Sequence, residues 1–231
     1  MATAVVDSGS VTGNTNTLTI SNISIASGEL LTIEVALSDG VTVSSVDYGS
    51  SSDVATNVIN VDNPGAGFAQ ILSAEGLSGT NQDVVVNVSA MAQNKASCRV
   101  YSGADTPDNG VSFAGDNQSA SQVLSPGGED ANNHLMDVIF VTGTSLTVGA
   151  NQTTVLLSSA GGQSGGSSHQ QNASDANMGW SVGGSSPDVA HVACRVPEAA
   201  APSGRIMSSL AGAGGLAGFG GIAGQGGGLA G

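Results

Sequence analysis

A chain of 231 residues, 39% of them hydrophobic, can bury one β-rich core or two small ones. With 35 glycines, 3% aromatics and 10% charged residues, it lacks the Leu, Glu, Lys and Arg that sustain long helices, so almost no helix is expected. The formal net charge is −14 and the four basic residues, Lys95, Arg99, Arg195 and Arg205, are scattered, which excludes a surface able to neutralise nucleic-acid phosphates or an anionic membrane.

The opening MATAVVDSGS has no basic segment ahead of an apolar run, so it does not read as a secretory signal. Thr17 to Ala26 alternates apolar and polar residues, as a strand does. Leu30 to Ser38 alternates more clearly: Leu31, Ile33, Val35 and Leu37 share one face, and Thr32, Glu34, Ala36 and Ser38 share a face expected to be wet. Asp39-Gly40 starts a turn into a strand over Val41 to Tyr48. Val54 to Val61 and Gly67 to Ser73 then flank the Asp62-Asn63-Pro64-Gly65 reversal. Asp83 to Ala90 and Ala96 to Ser102 read as two successive strands. Gly103 to Ser121 reads as a long polar excursion with one short strand near Val111 to Ala114.

Leu135 to Thr142 is nearly all apolar, the mark of a central strand covered on both faces. Shorter strands follow at Thr144 to Val148 and Thr153 to Ser158. Gly161 to Ala176, rich in Gly, Ser and Gln, reads as a flexible loop with nothing to bury. Asn177 to Pro197 then reads as a closing β-hairpin, its runs Met178 to Val182 and Val189 to Val196 joined by Gly-Gly-Ser-Ser-Pro-Asp. On the second run Val192, Cys194 and Val196 face inward, while His191, Ala193 and Arg195 are expected to face water. The pattern is all-β: an antiparallel β-sandwich of about ten short strands over residues 1–197.

Residues 198–209 read as a linker, and from Gly212 to Gly227 every third residue is glycine. A three-residue-per-turn helix would line those glycines in one row and Leu210, Ala213, Leu216, Phe219, Ile222 and Gln225 in another. Leu210, Leu216, Phe219, Ile222 and Leu229 are thus the candidate assembly residues of a tail that joins copies of the chain, as a trimer or another oligomer, or anchors them. A disordered Gly-rich tail is the other reading. A membrane span is not expected, because half of the 22 tail residues are glycine.

Chemistry is sparse. Gly162-Gln163-Ser164-Gly165-Gly166 matches the G-x-S-x-G pattern, with His169 and Asp175 close by, but the predicted loop lacks the strand and helix that a nucleophile elbow requires. His134, His169 and His191 show no metal-ligand spacing. Asp105, Asp108 and Asp116, and Glu129 with Asp130, offer oxygen ligands for calcium without matching an EF-hand loop. Cys98 and Cys194 alternate with apolar neighbours and should point inward, as buried free thiols or, if their strands face each other, as a bridge. Trp180, Tyr48, Tyr101, Phe68 and Phe113 fit core positions better than an exposed sugar platform. No catalytic, cofactor or metal residues are expected.

Three segments, VSSVDYG (Val43 to Gly49), ASCRVYSGADTP (Ala96 to Pro107) and MGWSVGGSSPDVAHVACRVP (Met178 to Pro197), resemble a β-sandwich module of bacteriophage virion proteins and some secreted bacterial proteins. The Gly-triplet tail is similar to the endings of phage structural proteins. The chain departs from the module by placing Cys at two core positions. The resemblance implies a non-enzymatic virion surface protein, assembled in the host cytoplasm, that decorates a capsid as a cement protein or head-fibre subunit. Its partners would be copies of itself and the major capsid protein. The alternative is a host-recognition module on a fibre or tail that binds surface glycans.

Overall fold

The computed structural model describes residues 3–118, 120–127, 130–143, 145–171, 177–184 and 186–200. These residues fall in the first of two compact units, Met1–Ala199, apart from Ala200, which opens the second. The fold is all-β. Its strands are β1 (Ala4–Ile25), β2 (Leu30–Ser38), β3 (Val43–Tyr48), β4 (Thr56–Asn63), β5 (Gly67–Ala74), β6 (Gly79–Ser102) and β7 (Asp108–Gly115). There follow β8 (Ala120–Leu124), β9 (His134–Thr142), β10 (Ser145–Val148), β11 (Thr153–Ala160), β12 (Gln163–Gln171), β13 (Met178–Gly183) and β14 (Val189–Val196). All pairings are antiparallel, in a six-stranded sheet (β1-β6-β2-β5-β4, with β3 on β6), a five-stranded sheet (β11-β12-β9-β14-β7) and a three-stranded sheet (β10-β13-β8).

The six-stranded sheet folds over itself. β1 and β6 are 22 and 24 residues long and pair along their length, from Ala4 with Ser102 to Ile25 with Gly79, with an irregularity between Thr15 and Thr17. The far half of β6 carries β2, and the near half carries β3. Across the bend Leu18, Ile20, Ile23, Val84 and Val86 pack on Leu31, Ile33, Val35, Cys98 and Val100 in one core. Gly9 is small where β1 passes over itself: a Cβ there would lie 2.5 Å from Ile20. The two strands expected at Asp83 to Ala90 and Ala96 to Ser102 are therefore one continuous strand, bent rather than interrupted.

The five-stranded sheet packs on the other face of β2, β5 and β6, and the three-stranded sheet caps it, which gives four layers. Leu30, Ala69, Ile71, Met136, Val138, Phe140, Val192 and Cys194 fill the middle interface. Ile139, Val141, Leu146, Trp180, Val182 and Val189 fill the outer one. A strand in an inner layer has no wet face, which explains why every residue of β2 is buried, Thr32, Glu34, Ala36 and Ser38 included. β9 is covered on both faces as its apolar run requires, with only Thr142 less than buried.

Three further expectations are corrected. Met178–Gly183 and Val189–Val196 are not a hairpin: β13 pairs with β10 and β8, while β14 lies between β9 and β7 in another sheet. Local turn chemistry cannot tell a hairpin from a crossover between layers when both segments alternate. The expected loop at 161–176 contains β12, an inner strand whose Ser164, Gly165, Gly166, Ser167 and Ser168 are buried. The polar excursion at 103–121 holds β7 and the start of β8. The antiparallel all-β fold is as expected, with fourteen strands among the described residues where about ten were expected.

Candidate functional site

The chemistry-bearing side chains gather in a polar seam between the two inner sheets. Alternation along β6 sends Cys98 and Val100 into the dry core and Lys95, Ser97, Arg99 and Tyr101 the other way. β2 places Thr32 opposite Arg99, Glu34 opposite Ser97 and Ala36 opposite Lys95. From the facing sheet β12 contributes Ser167 and His169, and β9 contributes His134.

At the centre, Arg99 Nη1 lies 3.1 Å from Glu34 Oε1, and both side chains are 0% exposed. Thr32 Oγ1 donates to Glu34 Oε1 at 2.9 Å and Ser97 Oγ donates to Oε2 at 2.7 Å. Ser97 Oγ and Ser167 Oγ are 2.6 Å apart across the sheets, and Arg99 Nη2 donates to Ser167 Oγ at 3.3 Å. Burial raises the Glu34 pKa, and the Arg99 charge with the two hydroxyl donors opposes that rise without cancelling it.

Lys95 is buried with a single hydrogen bond, Nζ to the Gln93 carbonyl at 3.0 Å, and its ammonium sits 5.6 Å from the centre of the Phe140 ring. Burial lowers its pKa to about 8. Room for it comes from β12, because a Cβ on Gly165 would lie 2.5 Å from Lys95 Cδ. Next to Arg99, the rings of Tyr101 and His134 meet edge to face at 5.3 Å, and His134 and His169 are 5.9 Å apart. His134 Nε2 must carry a proton to donate to the Thr3 carbonyl at 3.1 Å, which leaves its Nδ1 an unprotonated acceptor. Burial, then the Arg99 and His134 charges, lowers the His169 pKa to about 3. The adjacent guanidinium also opposes any cation at these two imidazoles.

A second buried cluster lies on the opposite face of β9. Asp137 Oδ1 accepts from the Ser168 backbone N at 3.1 Å and from Ser168 Oγ at 2.6 Å. Its Oδ2 accepts from Trp180 Nε1 at 2.7 Å and lies 3.0 Å from His191 Nε2. His191, expected to face water, is buried because its side of β14 is covered by the three-stranded sheet. Trp180 was expected in the core and lies there; Gly166 leaves space for it, since a Cβ would come within 2.5 Å of the indole.

No family model matches the chain, and no curated protein or solved structure is similar to it.

The remaining candidates stay apart. Ser164 is buried and donates to the Gly143 carbonyl at 2.8 Å, while His169 lies on the other side of the same strand; Asp175 is outside the described residues. Asp108 forms a two-pronged pair with Arg195, Asp105 caps the Thr106 N–H at 2.8 Å, and Asp130 caps the Asn132 N–H at 2.9 Å; Glu129 is outside the described residues. Among the described residues no three His, Cys, Asp or Glu are placed to hold a metal. Cys98 and Cys194 are free and buried in different cores, which burial makes still harder to ionise. Leu210, Leu216, Phe219, Ile222 and Leu229 lie outside the described residues. No helix among the described residues is long and apolar enough to cross a membrane.

The seam was missed by sequence reading because Thr32, Glu34, Ser97 and Arg99 alternate with apolar residues, as an exposed face does. One signal was available: half of the chain's Lys and Arg fall four residues apart on one strand, at Lys95 and Arg99. Apart from the half-buried His169, the side chains of seam and second cluster are closed to solvent, so no substrate reaches them without a sheet moving. A buried ion pair adds little net stability over apolar side chains of the same size. The role that fits its placement is alignment, since the Ser97–Ser167 and Arg99 Nη2–Ser167 hydrogen bonds bridge the sheets in one rotation and register only.

Proposed function

We propose that this chain is a non-enzymatic structural protein of a bacteriophage virion, displayed on the capsid surface as a decoration protein or head-fibre subunit. One observation carries the reading: the reactive side chains are used up inside. Glu34, Lys95, Arg99, His134, Asp137 and His191 are all at most 1% exposed, and what faces solvent is mainly Ser, Thr, Asn and Gly on strands. Such a body suits a passive, durable surface element, and a net charge of −14 suits dense display by mutual repulsion. The three segments that resemble the virion module support it from the sequence side. The partners are copies of the same chain, joined through the Gly-triplet tail, and the major capsid protein.

The test is labelling of intact virions with an antibody against the sandwich, together with light scattering of the full chain and of a chain lacking Leu210–Gly231. Regular labelling of the head, and an oligomer lost on truncation, are expected. Labelling that never exceeds background on assembled particles overturns the reading.

A further inference from the structure

The outward face of the three-stranded sheet is built without charge. Strand alternation turns Leu146, Trp180 and Val182 inward and leaves Ser145 and Thr147 of β10, Gly179, Ser181 and Gly183 of β13, and Val123 of β8 outward. Register sets Thr147 beside Ser181 and Gly179 beside Val123. None of these six is ionisable, in a chain with 18 Asp and Glu.

At one end of this face lies a cavity of about 210 Å³, whose lining includes Val123, Asn151, Gln152, Gly179, Trp180 and Ser181. Among the described residues it too has no charged lining residue. Its walls are fixed from behind: Gln152 accepts from the Gly179 N–H at 2.8 Å and donates to Ser168 Oγ at 2.6 Å, and Trp180 is held by Asp137. Gly149 N–H donates to the Gly179 carbonyl at 2.8 Å, which ties the β10–β11 turn to β13. Asn151 stands on that turn at φ 65°, exposed, and Ser181 is exposed on β13. Neither side chain makes a hydrogen bond among the described residues. Val123 adds an apolar patch, 56% exposed.

We propose that this face binds a neutral saccharide, with one ring seated in the cavity. The chemistry is complementary on each count. Absence of charge selects a neutral ligand; the Asn151 amide and Ser181 hydroxyl offer donors and acceptors to sugar hydroxyls; Val123 meets the C–H face of the ring, and Trp180 lies buried directly beneath it. The volume lies below the roughly 300–1,000 Å³ of sites for drug-sized ligands and suits a single ring. The flat Ser145, Thr147 and Gly183 surface leaves room for neighbouring units of a chain. This goes beyond a structural role on a virion and holds or fails independently of it.

The test uses the tryptophan, the only one in the chain, as an internal reporter on the cavity. The full-length protein is titrated with methyl glycosides of glucose, galactose, mannose and N-acetylglucosamine, and with glucuronate as an anionic control, while Trp180 emission is recorded. A saturable change with at least one neutral glycoside is expected. Asn151→Gly, which keeps the positive φ, and Ser181→Ala should each weaken it by about three- to tenfold, the loss of one neutral hydrogen bond. Ser78→Ala, in a separate uncharged cavity formed with Tyr48 and Gln82, should leave it unchanged. All three positions lie outside the cores, and unliganded emission checks that Trp180 is still buried. Three results overturn the proposal: no saturable change with any neutral glycoside, a change that survives both Asn151→Gly and Ser181→Ala, or glucuronate binding as tightly as the neutral sugars.

Discussion

β2 divides two unlike interiors. On one face Leu31, Ile33, Val35 and Leu37 enter a core that is almost wholly aliphatic, made where the six-stranded sheet folds over itself. On the other, Thr32 and Glu34 enter a seam of hydroxyls, an ion pair and an unpaired lysine. The dry core gains from area removed from water and tolerates many packings of the right volume. The seam gains little net energy, but its cross-sheet hydrogen bonds form in one arrangement. One strand thus serves cohesion on one face and alignment on the other.

The sharpest way to break the contrast is to strip one partner from the seam. Glu34→Ala leaves the Arg99 guanidinium buried without its counter-charge and should cost about 3–5 kcal/mol in denaturant unfolding. Replacing both together, Glu34→Leu with Arg99→Met, should recover most of that loss and can leave the protein more stable than the original. If the double variant is as unstable as Glu34→Ala, the seam is contributing cohesion and the distinction fails. On the dry side, Ile33→Ala should cost about 2–5 kcal/mol, and no second substitution on the opposite face of β2 should rescue it.

Next comes the space left by β12. A side chain at position 165 meets both Lys95 and Ala36 Cβ, the latter 3.0 Å from the new Cβ. Gly165→Ala should therefore cost about 1–3 kcal/mol by overpacking. Pairing it with Lys95→Ala should return much of the loss, as read by a double-mutant cycle.

Acidity sharpens the comparison further, because the dry core does not titrate near neutrality and the seam does. His169 is held near 3 in the folded protein against 6.5 for a free imidazole. Over that window the unfolded chain binds more protons, so stability should fall as pH drops from about 6.5 towards 3. Lys95, at about 8 instead of 10.5, gives the same sign at alkaline pH: stability should rise as pH climbs between those values. Glu34, raised by burial, titrates with the opposite sign, so each variant is compared with wild type across the whole pH range. His169→Gln should flatten the acid slope and Lys95→Met the alkaline one. The smallest effect is expected outside both interiors. Asp108→Ala, which removes a pair whose side chains are 23% and 43% exposed, should cost no more than about 1 kcal/mol.

The legible parts of the sequence were those where apolar residues announce burial. β2, β5 and β9 were readable in position because their aliphatic runs suit few other structures. β12 was not, because its burial rests on small residues making room for Lys95 and Trp180 from neighbouring layers, and Gly and Ser are also what a loop uses. The layer change between β13 and β14 was hidden for a related reason: alternation reports that a strand has two faces, not which sheet it joins. The seam itself was camouflaged, since Glu34 and Arg99 obey the pattern of a wet face and only the third layer makes it dry. Of the proposed saccharide face, only Trp180 stood out in the sequence, as a core residue; its meeting with Asn151 at one cavity depends on the β10–β11 turn reaching β13.

The union of Ala4 with Ser102 also sets a timetable for biogenesis. At synthesis rates of about 5–20 residues per second, the start of β1 waits roughly 5–20 seconds after leaving the ribosome for its mate to emerge. Its leading stretch, AVVDSGSVTGNTNT, is rich in Ser, Thr, Gly and Asn. That composition keeps a waiting strand hydrated, so the most soluble stretch of β1 is the one made first and closed last.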